Sequence, residues 1–289
     1  MEPIAMKSIP TTGTLGASEY RLESAQGNGP LGTRWVVTSQ TKDVQRVADL
    51  LAPNDDDYLN SLCENALRTK GWTTHSSVAN VLEAGRLPDG TYFQILEMSP
   101  QAQQLSLGNL PISEPELLRV ASSLQAGLMH MHKRELVHGA LSPTCIYREG
   151  DRTQLGDLWW AHNADGEPLY GKLAIYFPAS FPDFALQFAS PEVLLGQSPK
   201  RESDIYSLGA VLFFLITGEP PRELSLPLQD HAYRKKLAQA PVKQLPSIRP
   251  DVSNMTCAMI SKMLEADPVE RLSIFWLEEI LQELSATSH

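Results

Sequence analysis

Between Leu136 and Ala161 the chain reads LVHGALSPTCIY, a short polar connector, then TQLGDLWWA. His138 opens a proline-bearing loop there, and a lone aspartate, Asp157, follows a second short strand-like run. A lone carboxylate is weak provision for a hard cation, which takes several oxygen ligands. Upstream, Gly27, Gly29 and Gly32 fit G-x-G-x-x-G between two β-like segments of YRLESAQGNGPLGTRWVV. Positions without side chains let backbone N–H groups approach phosphates closely, and they also build ordinary hairpins. A dinucleotide-binding turn would open a helix, and here a strand follows. His130 and His132, two positions apart, fall on different faces of a helix and make poor co-ligands for a metal.

The elements around these residues are legible from periodicity. Leu117, Ala121, Leu124, Leu128 and Met131 recur at helical spacing after Ser113 and Glu116, which make a capping box. A buried helix is expected over Ile205–Ile216 and two closing helices over about 255–265 and 273–285. Asp55–Arg68 reads as a helix with acidic residues at its start, which favour the helix dipole. Val78–Ala84 and Tyr92–Met98 read as strands around the turn Pro88-Asp89-Gly90. The proline-rich stretch 219–250 reads as loop with one short helix, and residues 1–19 as a flexible leader.

Composition excludes several classes. The 289 residues carry 24 basic and 34 acidic side chains, a formal charge of −10, which argues against nucleic-acid binding and against adhesion to anionic membranes. Hydrophobic residues at 42% and charged residues at 20% are ordinary for a globular protein. Cys63, Cys145 and Cys257 lie far apart without a C-x-x-C, so a reducing compartment and a cytoplasmic location are expected. The longest apolar run is interrupted by Tyr206, Ser207 and Gly209 and is shorter than the ~20 residues of a membrane span.

The order of these motifs resembles the eukaryotic-type protein kinases over about residues 20–285. In that family the loop reads H-R-D-L-K-P-x-N and the second motif D-F-G. Here the matching residues are His138, Gly139, Ala140, Leu141, Ser142, Pro143, Thr144 and Cys145, then Asp157, Leu158 and Trp159. Ala189-Ser190-Pro191-Glu192, Asp204 and Arg271 match three further landmarks, with Glu192 and Arg271 expected to pair. The resemblance implies an α+β, bilobal fold: an N-lobe over 20–98 with a small antiparallel sheet and one main helix, and a larger, mainly helical C-lobe over 99–289. It also implies nucleotide-binding positions at Gly27, Gly29, Gly32, Glu64, Leu96 (gatekeeper), Glu97 and Met98 (hinge), with Asp157 as metal ligand.

Set against that pattern, the chemistry is depleted. Ala140 replaces the aspartate that orients the acceptor hydroxyl, Ser142 the lysine that steadies the γ-phosphate, and Cys145 the magnesium-binding asparagine. The best match to the strand motif V-A-I-K puts Leu50 at the phosphate-holding lysine, with Arg46 and Lys42 as alternatives in a shifted register. Glu64 then lacks its lysine partner and reads equally as a solvated surface residue. Asp151 and Asp165 lie in turn-like sequence, and nothing places either as a substitute base. Trp159 stands for the glycine of D-F-G; it and Trp160 either pack structurally or enter the nucleotide cleft. The aromatics Tyr170, Tyr176, Phe177, Phe181, Phe184 and Phe188 read either as core or as a protein-binding face. Gly139 occupies the site of the arginine that would receive an activating phosphate. The resemblance therefore implies a pseudokinase, without phosphoryl transfer, regulating or scaffolding a signalling protein or an active kinase, with weak ATP binding at most and poor provision for magnesium. Alternatives are a nucleotide sensor, or an atypical enzyme using the same cleft for nucleotidyl transfer or residual kinase activity.

Overall fold

The computed structural model describes residues 14–15, 20–29, 32–53, 60, 64, 67, 71, 74–105, 110–158, 161–163, 183–222 and 231–287. They fall into two compact units. The first holds the described residues up to Ala102 together with Gly156, Asp157 and Leu158; the second holds the rest.

The first unit is an antiparallel sheet of β1 (Thr14–Leu15), β2 (Tyr20–Gly29), β3 (Gly32–Ser39), β4 (Gln45–Leu51), β5 (Val81–Arg86) and β6 (Tyr92–Leu96), ordered β1-β2-β3-β4-β6-β5. Across a strand pair, directly opposed residues share a face. The register pairs Ala48 with Ile95 and Leu50 with Phe93, and these four join Leu15, Tyr20, Leu22, Trp35 and Val37 in one apolar cluster. The opposite face carries Val47, Asp49, Gln94 and Leu96, which are also buried. A leader over 1–19 does not describe residues 14 and 15. Leu15 is buried in the apolar cluster, and that burial anchors a strand against Tyr20 and Arg21.

In the second unit α1 (Glu114–His132) begins where expected, the Ser113 hydroxyl accepting from the Glu116 amide at 3.4 Å. The Glu116 carboxylate is engaged by Arg148 of β9 (Ile146–Glu149), which forms a three-stranded sheet, order β10-β9-β7, with β7 (Gln103–Gln104) and β10 (Arg152–Leu155). Two-residue strands β8 (Leu136–Val137) and β11 (His162–Asn163) pair beside the loop. Short helices α2 (Asp183–Leu186) and α3 (Pro191–Leu194) lead into α4 (Arg201–Thr217), in which every residue from Ser203 to Ile216 is buried. Then follow α5 (His231–Gln239), α6 (Leu245–Ile248), α7 (Asn254–Met263) and α8 (Ile274–Thr287). Among its described residues the stretch 219–250 thus holds two helices where one was expected.

A helix buried on all sides needs close neighbours, and Gly209 supplies the closest approach. A Cβ there would lie 2.7 Å from Met263 Cβ, on the last turn of α7. Gly209→Ala should therefore destabilise by about 1–3 kcal/mol, the usual cost of overpacking, although alanine favours helix. Chemical denaturation checks this; a variant as stable as the parent would show that the α4–α7 contact relaxes freely.

Candidate functional site

The loop that opens at His138 is shaped by one buried carboxylate. Asp204, in the first turn of α4, accepts from the backbone amides of His138 and Gly139, both at 2.9 Å, and from His132 Nε2 at 2.9 Å. Burial alone would raise its pKa. The His132 hydrogen bond and the imidazole charges, with the Gly139 amide, outweigh burial and hold it below its ordinary value of 3.8. Gly139 takes a φ of 77°, open to glycine without penalty, as the chain turns. His132 thus serves the loop through its hydrogen bond to Asp204; among the described residues no cluster of three or more His, Cys, Asp or Glu could hold a metal ion.

The side chains at the three loop positions turn to local contacts. Ala140 packs with Ala189 and Tyr233 against Ala185, Leu186, Leu194, Leu237 and Ala238. Ser142 is buried, its hydroxyl 2.8 Å from that of Thr144. Cys145 Sγ accepts from the Ser142 amide at 3.2 Å and lies 3.0 Å from the Ser142 carbonyl, so the thiol closes the turn. Asp157 is buried and sits at φ 57°, a left-handed conformation that aspartate tolerates better than most residues. Trp159, Trp160 and Asp165 lie outside the described residues, as do Tyr170, Tyr176, Phe177 and Phe181. Phe188 is core, edge-on to Phe214 at 5.5 Å; Asp151 is exposed in the turn between β9 and β10.

In the first unit the sheet carries a polar group that sequence reading missed. Arg34 of β3 grips Asp49 of β4 with two hydrogen bonds, Nε at 2.7 Å and Nη2 at 2.9 Å, and Gln94 Nε2 adds a third to Asp49 at 3.1 Å. The Asp49 side chain is fully buried and that of Arg34 nearly so. Leu50, expected at the strand lysine, faces the other way, into the apolar cluster. The four buried residues Val47 to Leu50 show no apolar–polar alternation, which is why the register was illegible. The signal that could have found the group was a charged residue, Asp49, inside an otherwise apolar run.

The glycines pair as a hairpin, Gly29 opposite Gly32 and Gly27 opposite Arg34. Gly32 has a reason of its own: a Cβ would sit 2.1 Å from the Leu50 carbonyl oxygen. Glu64 is helical and exposed, and it pairs with Arg86 of β5 at 3.0 Å. Leu96 and Met98 are buried, while Glu97 accepts from Asn80 Nδ2 at 2.6 Å. Glu192 and Arg271 form a two-bond pair, both contacts 2.8 Å, reinforced by the Ser203 hydroxyl at 2.7 Å. Burial would raise the Glu192 pKa; Arg271 overrides it and lowers the carboxyl below 4.5.

With this geometry described, comparison with known proteins gives the family. A model of the protein kinase domain matches residues 56–284. The chain belongs to the protein kinase domain family. The matched span starts after β4, so the glycine hairpin and the Arg34–Asp49 pair lie outside it. Among curated relatives, a mouse protein named inactive serine/threonine-protein kinase PLK5 is 26% identical over 60% of this chain and 26% of its own length. The Myxococcus xanthus serine/threonine-protein kinase pkn3 is 23% identical over 72% of this chain and 39% of its own. The chain thus spans well under half the length of these relatives. The solved twitchin kinase region of C. elegans covers 90% of the chain, with 44% of its own length aligned, at TM-score 0.73 and 20% identity, which speaks for the fold alone. The fold is the α+β, bilobal kinase architecture, an antiparallel sheet in one lobe and helices in the other. No described helix is long and apolar enough to cross a membrane.

Two measurements check the polar anchors. Arg34→Ala leaves Asp49 buried with Gln94 alone and should cost about 3–5 kcal/mol in denaturant unfolding, as expected when one partner of a buried pair is removed. Acid should also destabilise the domain. Glu192 and Asp204 have depressed folded-state pKa values, so their contribution is complete above the ordinary values of 4.5 and 3.8 and is lost as pH falls through the depressed ones. Glu192→Gln should lower stability at neutral pH and make its decline on acidification shallower; a decline of unchanged steepness would assign the acid sensitivity elsewhere.

Proposed function

We propose that this kinase domain is catalytically inactive, a pseudokinase, and that it acts by binding a signalling protein, with an active kinase as one such partner. The observation that carries the reading is the Arg34–Asp49–Gln94 group. Asp49 shares its sheet face with Leu96, the expected gatekeeper, so on this reading Asp49 and not Leu50 stands at the register of the phosphate-holding lysine. A carboxylate there repels phosphates, and the neighbouring cation is already held by two hydrogen bonds. A magnesium–triphosphate fits such a residue set poorly. Asp157 is one carboxylate where the family uses further ligands, and the Cys145 thiol is a soft group already bonded to the loop backbone. The Ala140 methyl cannot accept a proton or orient a hydroxyl, a role usually worth about 10²–10⁴-fold in general acid–base catalysis.

The name of the mouse relative, an inactive kinase, supports the same reading at 26% identity. Lobe boundaries over 20–98 and 99–289, and a cytoplasmic location, belong to this proposal as well.

Thermal unfolding with ATP, with and without magnesium, tests it. A ligand at 100 times its Kd stabilises by about 2.7 kcal/mol, so no shift at millimolar nucleotide is expected, and no transfer of labelled phosphate. A clear shift without transfer would replace the reading with a nucleotide sensor or nucleotidyl transferase, and transfer would end it. Ala140→Asp alone should not restore activity; measurable kinase activity in that variant would contradict the account of Asp49, Ser142 and Cys145.

A further inference from the structure

Arg222 carries a charge that its surroundings do not answer. It follows Pro220 and Pro221 at the end of α4 and is 3% exposed. Its Nη1 donates to the Leu237 carbonyl at 3.2 Å, while its Nε is buried with no hydrogen-bond partner. The guanidinium lies 5.1 Å from the centre of the Tyr206 ring, and Arg271 lies at 5.1 Å from the same ring. Glu192 is the carboxylate of this group, and Arg271 takes both of its oxygens. Among the described residues two guanidiniums thus share one carboxylate, which leaves an excess of one positive charge there. Arginine cannot discharge it by losing a proton, and an uncompensated buried charge is costly.

Arg222 also lines a cavity of about 850 Å³ between α4, α7 and the segment joining α5 to α7. Phe213, Val242, Leu245, Ile260 and Leu264 give it apolar walls, and the exposed residues Ala258 and Ser261 carry it to the surface. The other charged residues of the lining have partners: Lys243 pairs with Glu219, and Glu265 lies 3.8 Å from Lys262. The volume falls within the roughly 300–1,000 Å³ of small-molecule sites, which combine apolar walls with a few polar groups that fix orientation.

We propose that this cavity binds an amphipathic monocarboxylate, the carboxylate on the Arg222 guanidinium and the apolar body along Phe213, Leu245, Ile260 and Leu264. A single negative charge matches the single excess positive one; a dianion would overshoot it, and a neutral ligand would leave it unanswered. Guanidinium and carboxylate are matched in geometry as well as in charge. The site lies within the second unit and does not depend on whether the domain transfers phosphate.

Octanoate and 1-octanol, titrated separately into the full chain by calorimetry, test the proposal. Octanoate should bind at least tenfold more tightly than the alcohol. Arg222→Met should abolish that preference without lowering the melting temperature, since replacing an unanswered buried charge by an apolar chain is neutral or stabilising. Ser261→Trp, a change at the exposed rim, should weaken octanoate at least tenfold, and it decides the matter if the methionine variant does not fold. Equal affinity for acid and alcohol would overturn the proposal. So would a preference that survives Arg222→Met, octanoate binding indifferent to Ser261→Trp, or a folded methionine variant that melts well below the parent.

Discussion

Asp204 is the interaction on which the second unit depends. Its carboxylate is almost wholly out of water, and burial alone would favour protonation. It stays ionised because two backbone amides and an imidazole converge on it at 2.9 Å. Hydrogen bonds to a charged acceptor are roughly twice as strong as neutral ones, and in a low dielectric they are stronger still. The helix therefore dictates the path of the loop at His138 and Gly139 through the backbone. Nothing in that arrangement asks anything of the side chains at 140, 142 or 145.

The separation means that the kinase fold does not lean on the side chains at 140, 142 and 145. Stability resides in groups that hold backbone or each other: Asp204 on the loop, Glu192 on Arg271, the hydrophobic seam of α4. Ala140, Ser142 and Cys145 each settle into the nearest local contact. Cys145 closes its own turn, and Ala140 joins an apolar cluster. In the other unit buried charge is arranged in a different way. Arg34 and Asp49 form a pair inside the sheet, two buried charges that neutralise each other.

Much of the second unit was legible in the sequence because its elements are long and strongly periodic. The stripe from Leu117 to Met131 and the Ser113 cap fixed α1, and the long, mostly apolar run from Ile205 to Ile216 marked a buried helix. The strands were harder. Val47, Ala48, Asp49 and Leu50 are all buried, so a period of two has nothing to act on, and a slip of one residue exchanges the two faces. The strand at Thr14–Leu15 escaped notice because two residues carry no periodicity; only the pocket that receives Leu15 defines it. Glu64 illustrates a third limit. Its sequence position suits the family's glutamate, but its partner is Arg86, twenty-two residues away in sequence, a contact that no local pattern encodes.

Buried charge behaves differently in three places among the described residues. At Asp204 one negative charge meets three donors, and the result is a rigid loop. At Arg34–Asp49 the two charges balance, and Gln94 adds a further donor to Asp49. Around Tyr206 the count does not close, since Glu192 is spent on Arg271 and Arg222 is left with one carbonyl and an aromatic face. The first two groups can be read as scaffold because their carboxylates are met by donors on every side the structure describes. The third is incomplete in the way a binding site is incomplete before its ligand arrives, and the adjoining cavity supplies the room for an anion that would complete it.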